Sequence, residues 1–199
     1  MPYFNIVAET SENTVVTEYE PVKKRSDSYQ SEAAMEKEII RLLCEQGYEY
    51  LPIHREKDLT ANLRKKLEEL NNYQFSDTEW DDFFKNAVAN PNEHIVEKTR
   101  KIQEDNVQVL TRDDGSSKNI TLIDKKNIHN NRLQVINQYV IGTENGAKHD
   151  NRYDVTVLVN GLPLVHIELK RRGVAIREAF NQINRYQSCL LYTSPSPRD

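Results

Sequence analysis

Cysteine is scarce in this chain, two among 199 residues, Cys44 and Cys189. Two cysteines make neither a disulfide framework nor a zinc site, which points to a reducing compartment, and neither is a good nucleophile candidate. The histidines show no ligand spacing such as HxxxH. No apolar run is long enough to cross a bilayer, and no signal peptide, internal repeat or low-complexity block is present, so cytoplasmic residence is expected. No G-x-x-x-x-G-K-[ST] phosphate loop occurs, so these residues cannot themselves supply ATP-driven movement. A surplus of positive charge is also lacking: 27 Lys and Arg stand against 31 Asp and Glu, a net charge of -4. The chain as a whole is not an electrostatic nucleic-acid binder, and any such contact must rest on local charge.

What is present suits one α/β domain, with 37% hydrophobic and 29% charged residues. Glu32 to Gln46 carries Met35, Ile39, Leu42 and Leu43 on one stripe, begins after Ser31 and stops at Gly47, as a capped helix does. Leu59 to Leu70, rich in Lys and Glu, reads as a surface helix. Ser76-x-x-Glu79 is a capping-box signal before Trp80, Phe83, Phe84 and Val88, with Pro91 as the stop. Strand-like runs flank Asp113-Asp114-Gly115-Ser116 between Val107 and Ile123 and predict a hairpin; Leu133 to Val140 is a further strand candidate. Residues 1–25 lack strong periodicity and read as an arm or a loosely attached strand.

The chemistry-bearing stretch runs from Asp154 to Lys170. Tyr153 to Val159 and Leu164 to Lys170 are short, apolar and β-branched, with Asn160-Gly161-Leu162-Pro163 between them, the pattern of an antiparallel hairpin. Alternation puts Leu164, His166, Glu168 and Lys170 on one face and Val165, Ile167 and Leu169 on the other, apolar enough to be core. Positions 154 and 168 lie symmetrically about Gly161, so Asp154 falls opposite Glu168 or within one residue of it, unless a bulge shifts the register. Two carboxylates beside an ammonium suit Mg²⁺, with Lys170 placed to orient a water or to neutralise charge on a phosphorane. A solvated strand face fits the same spacing. His166 shares the face as a lining residue. Val174 to Gln187 has Ile176, Ala179, Phe180 and Ile183 at helical spacing, which sets Gln182 and Tyr186 together along one flank.

Taken together, Arg152-Tyr153-Asp154-Val155-Thr156, Val159-Asn160-Gly161-Leu162-Pro163-Leu164-Val165, Ile167-Glu168-Leu169-Lys170 and Gln182-x-x-x-Tyr186 carry a family likeness. They resemble the N-terminal nuclease region of the restriction (R, HsdR-type) subunit of type I restriction-modification enzymes. The likeness extends upstream through Asp27-Ser28-Tyr29-Gln30-Ser31-Glu32, Gln46-Gly47-Tyr48-Glu49, Lys98-Thr99-Arg100-Lys101-Ile102 and Leu122-Ile123-Asp124-Lys125-Lys126-Asn127. It implies a PD-(D/E)xK-type site in which Asp154 and Glu168 bind Mg²⁺ and Lys170 assists catalysis. Gln182 and Tyr186 match a marker associated with nuclease function. Tyr153-Asp154 stands where the superfamily name has Pro-Asp, which is ordinary for the type I branch. Glu38 is a candidate further site carboxylate, as an N-terminal helix Glu is in many nucleases of this class; a solvated helix face is the alternative.

The fold implied is an α/β, restriction-endonuclease-like core, a mixed sheet flanked by helices, with an N-terminal helical elaboration. Residues 26–187 would form this domain, incomplete at its C-terminus. Beyond about Gln187 the sequence leaves the family, and Leu190 to Asp199 looks like translated sequencing-adapter read-through, so 188–199 is expected to be a non-native tail. The activity implied is Mg²⁺-dependent cleavage of unmodified double-stranded DNA. It would occur only when methyltransferase and specificity subunits hold the chain to DNA and a following motor hydrolyses ATP. Lys170, Arg171 and Arg172, followed by Arg177 and Arg185, make a basic patch where phosphates would sit, or a solvated basic loop. Two other readings stay open: an inactive fragment that binds DNA or docks on partner subunits, and an unrelated PD-(D/E)xK repair nuclease.

Overall fold

The computed structural model describes residues 4–9, 15–19, 31–141, 151–170, 177–178 and 181. At the N-terminus β1 (Phe4–Glu9) pairs antiparallel with β2 (Val15–Tyr19) through a bulge between Ile6 and Ala8. Part of the expected arm is therefore a hairpin, built from β-branched residues that suit a pleat. Helix α1 (Glu32–Glu45) starts where Ser31 accepts the Ala34 N–H, and Gly47 at φ 92° turns the chain out of it. After the short β3 (Glu49–Tyr50) comes α2 (Glu56–Asn71).

Helix α2 corrects the expectation of a surface helix. Leu59, Leu63 and Leu67 are fully buried, because a leucine at every fourth position makes one continuous stripe and leaves Lys and Glu to the other faces. Helix α3 (Asp77–Phe83) has both halves of the Ser76–Glu79 capping box and continues as a π-helical turn, Phe84–Val88. Helix α4 (Ile95–Gln103) is an element the sequence reading did not anticipate. The expected hairpin follows as β4 (Val107–Thr111) and β5 (Ser117–Thr121), and then come β6 (Leu133–Ile141), β7 (Asn151–Val159) and β8 (Leu162–Ile167). Among the described residues no helix is long and apolar enough to cross a membrane.

The main sheet has the order β3-β6-β7-β8, with β3 parallel to β6 and the other pairs antiparallel, so it is mixed as expected. Val135 and Ile136, adjacent on β6, fall into different cores, as the alternation of a strand requires. One core joins Ile136, Tyr139, Tyr153 and Leu158 to the α2 leucines and to Phe75, Trp80 and Phe83. The other joins Val135, Val155 and Leu169 to Met35, Ile39, Ile40 and Leu43 of α1. Thus α1 and α2 cover opposite faces of the sheet. Two residues expected in the core are exposed: Leu42, 41% accessible, and Val165, 49% accessible on the edge strand β8.

The β7–β8 turn is tighter than the four residues expected. Asn160 and Gly161 both take positive φ, 52° and 83°, as a two-residue hairpin turn demands. Gly161 lies so close to α2 that an added Cβ would fall 2.6 Å from Leu63 Cα. Buried Asn160 anchors the turn, its amide donating to the Leu122 carbonyl and to Asn131 Oδ1 while its own Oδ1 accepts the Arg132 N–H. This turn pairs Val159 with Leu162 and Leu158 with Pro163, but Val157 pairs with Val165 and Val155 with Ile167. Leu164 is the extra residue, a bulge that moves the register by one. One step beyond Val155 and Ile167, this register sets Asp154 opposite Glu168.

Candidate active site

Leu169 is the residue that holds the site together from inside. Its side chain is buried against Val155 and the α1 stripe, and its N–H donates to Asp154 Oδ2 at 2.9 Å. Glu168 and Lys170, on either side of it in sequence, turn to meet each other, with Lys170 Nζ donating to Glu168 Oε1 at 2.6 Å. The Glu168 side chain is only 4% accessible and that of Lys170 22%. Asp154, Glu168 and Lys170 are therefore brought together, as the hairpin geometry predicts.

The electrostatics follow from that crowding. Burial raises the Glu168 carboxyl above its usual range and the neighbouring Asp154 charge adds to the rise, while the hydrogen bond from Lys170 opposes it. For Lys170 burial works against the charge. The bond to Glu168 and the negative charges of Glu168, Asp154 and Glu32 outweigh it, so Lys170 is raised and stays an ammonium near neutral pH. Two like charges held close, with one carboxyl nearly removed from water, are what a divalent cation relieves. Among the described residues no group of three or more His, Cys, Asp or Glu converges on a metal position. A two-carboxylate oxygen set fits Mg²⁺, which keeps several waters of its own, better than zinc.

His166 lies on the same side of the hairpin. Its Nδ1 is 2.9 Å from the Thr156 hydroxyl, and its ring stacks on Tyr153 with centroids 4.3 Å apart. Protein atoms around the ring push its pKa down to about 4, so it is neutral at physiological pH although it keeps an edge toward solvent.

Glu38 takes the solvated alternative in this structure. It faces solvent and pairs with Arg41 at 2.7 Å on the outer face of α1, and the helix charge that acts on Lys170 is Glu32. By helical angle Glu32, itself exposed, lies on the side of α1 that carries the half-buried Met35, Ile39 and Leu43, whereas Glu38 flanks that side. Arg177 is described and exposed. Gln182, Tyr186, Arg171, Arg172 and Arg185 lie outside the described residues, as does the 188–199 segment. Gln138, which no sequence pattern singles out, lies level with Asp154 between the ladder pairs Asn137–Val155 and Tyr139–Tyr153.

A model of the family described as the type I restriction enzyme R protein N terminus matches residues 29–189. Over 181 residues the chain is 50% identical to the endonuclease subunit of the type I restriction enzyme EcoprrI of Escherichia coli, covering 90% of this chain and 56% of that protein. It is 39% identical over 164 residues to the SsaAORF53P endonuclease subunit of Staphylococcus saprophyticus, covering 80% of this chain and 17% of that protein. With the HindI endonuclease subunit of Haemophilus influenzae the identity is 31% over 163 residues, 71% of this chain and 15% of that protein. The chain thus spans about half of the first relative and a smaller part of the others. The match takes in α1, the mixed sheet and the Asp154–Glu168–Lys170 site, and the chain belongs to the type I restriction enzyme R protein N-terminus family.

Proposed function

We propose that this chain is the endonuclease domain of a type I restriction R subunit. Its site is of the PD-(D/E)xK type, and it hydrolyses phosphodiester bonds of unmodified double-stranded DNA with Mg²⁺. The convergence of Asp154, Glu168 and Lys170 at the end of the β7–β8 hairpin carries this reading. Asp154 and Glu168 would hold the cation. Mg²⁺, when bound, supplies polarisation of a phosphoryl oxygen and a water of lowered pKa. Lys170, raised and protonated, is a donor rather than a base, and it neutralises negative charge as the phosphorane forms. Leu169 keeps the three groups in place through its N–H bond to Asp154. Neutral His166 lines the approach without adding charge.

The same residues carry no readout of DNA sequence and no nucleotide-binding loop. In this proposal the domain works in the cytoplasm within a complex, where specificity and methyltransferase subunits choose the DNA and an ATP-driven motor outside these residues moves it. Lys170, Arg171 and Arg172 would meet the phosphates. The test places Asp154→Ala in a full-length R subunit within the reconstituted complex. Loss of cleavage with ATP hydrolysis intact is the expected result. Unchanged cleavage would leave a fragment that binds DNA or docks on partners without cutting. Cleavage by the 199-residue chain alone, without ATP or partner subunits, would favour a stand-alone repair nuclease instead.

A further inference from the structure

Gln138 sits inside β6 at φ 51°, a left-handed conformation that non-glycine residues seldom take in a strand. In the β6–β7 ladder Asn137 pairs with Val155 and Tyr139 with Tyr153, and the pair between them, Gln138 with Asp154, is skipped. Alternation breaks at this step on both strands. Ile136 and Tyr139, three apart, share the core under α2, and so do Tyr153 and Leu158, five apart. In an unbroken strand residues an odd number apart point to opposite faces.

The break is clamped from the side. Glu36 of α1 accepts from the amides of both Gln138 and Asn137. Asn137 Oδ1 in turn accepts the Tyr50 hydroxyl at 2.9 Å, and its carbonyl lies 3.0 Å from His54 Nδ1. Strained backbone persists where surrounding contacts over-determine it, and such sites cluster where chemistry is done. Here the strained residue lies directly across from the carboxylate that meets both Glu168 and the Leu169 N–H.

We infer that Gln138 is a positioning residue for the nuclease site: its left-handed backbone, clamped through Glu36, takes Asp154 out of the ladder and aims its carboxyl at Glu168. The inference rests on the reading of Asp154 and Glu168 as the cation pair. It separates two roles of position 138, a backbone conformation that the site requires and a side-chain amide that helps to hold it. Glycine keeps the first and gives up the second. A β-branched residue resists the first.

The experiment measures Mn²⁺ binding to the 199-residue chain by calorimetry, with far- and near-ultraviolet circular dichroism to verify the fold. Cleavage by the complex carrying the same variants of a full-length R subunit is the second readout. Q138V is expected to weaken Mn²⁺ binding and slow cleavage roughly tenfold to a hundredfold, the scale of a small misplacement of reacting groups. Q138G recovers most of that loss. If Q138V does not fold, Q138A takes its place with less strain. Folded Q138V or Q138A that binds Mn²⁺ as tightly as the unaltered chain would overturn the inference, and so would Q138G as defective as Q138V. D154A tests the underlying reading separately: if it binds Mn²⁺ unchanged, the cation pair is wrong whatever position 138 does.

Discussion

The Leu169 N–H donates to Asp154 Oδ2 at 2.9 Å, so the residue between Glu168 and Lys170 is tied to the strand opposite. One carboxylate oxygen serves the scaffold, and in the proposed nuclease reading its charge serves the site. Asp154→Asn keeps an acceptor for that N–H and removes the charge, whereas Asp154→Ala removes both. Each variant is expected to lower cleavage by the full complex roughly a hundredfold or more, as loss of a preorganised electrostatic group does. Stability should divide them. D154A is expected to lose about 1 kcal/mol more than D154N, the typical cost of stranding one hydrogen-bond donor, measured by urea denaturation. Equal stability of the two would show that the Leu169 bond adds nothing.

Gly161 supports the same unit from the far end of the hairpin. With φ 83° and a prospective Cβ 2.6 Å from Leu63 Cα, it can be replaced only by moving the turn off α2. Gly161→Ala is therefore expected to destabilise the chain by more than about 1 kcal/mol, beyond the penalty of positive φ alone. Gly115→Ala is the control, since φ there is 80° with nothing within 4 Å of the added carbon. Denaturation midpoints that shift alike for both would mean that the turn does not press on the helix.

Asn160-Gly161 between two apolar runs announces a hairpin, and the spacing of Asp154, Glu168 and Lys170 brings them to one end of it. The bulge at Leu164 is not written in any local pattern; a two-residue turn alone would pair Asp154 with Ile167, and the extra residue restores Glu168. The α2 leucines are masked in the sequence by the surrounding Lys and Glu, because composition says nothing of which face a residue occupies. Helix α4 has only Ile95, Val96 and Ile102 as apolar markers, too few for a periodic signal. Gln138 carries no turn-residue signature at all, since its backbone is set by α1 and β3 across the sheet.

Acid should loosen the domain at Glu79. The Ser76 N–H and the Tyr73 hydroxyl hold its carboxyl below the usual range; burial opposes them, and the Asp113 N–H and the Arg112 charge add to the lowering. A carboxyl with a depressed folded pKa contributes stability above its unfolded pKa, near 4.5, and that contribution disappears as pH falls through the lower folded value. Glu79→Gln is therefore expected to be less stable than the unaltered chain at pH 7, with the gap closing in acid. Thermal melts across that range check it. A gap that stays constant would assign the loss to shape rather than charge.

Helix α1 offers the sharpest contrast between two carboxylates. Glu38 is bound to Arg41 at the surface, and Glu38→Ala is expected to leave cleavage within about twofold, as exposed ion pairs contribute little. Glu32, exposed in the first turn of α1 on the side of Met35 and Ile39, has a charge that helps to keep the Lys170 ammonium raised. Glu32→Gln should let the Lys170 pKa fall, so the alkaline limb of the cleavage profile would move to lower pH. At neutral pH the rate would change little, because Glu168 and Asp154 still hold the proton on Lys170. The check is a pH–rate profile of the complex carrying each variant. An alkaline limb that does not move in E32Q would mean that Glu32 lies too far away for its charge to matter, and one that moves in E38A would return the site role to Glu38.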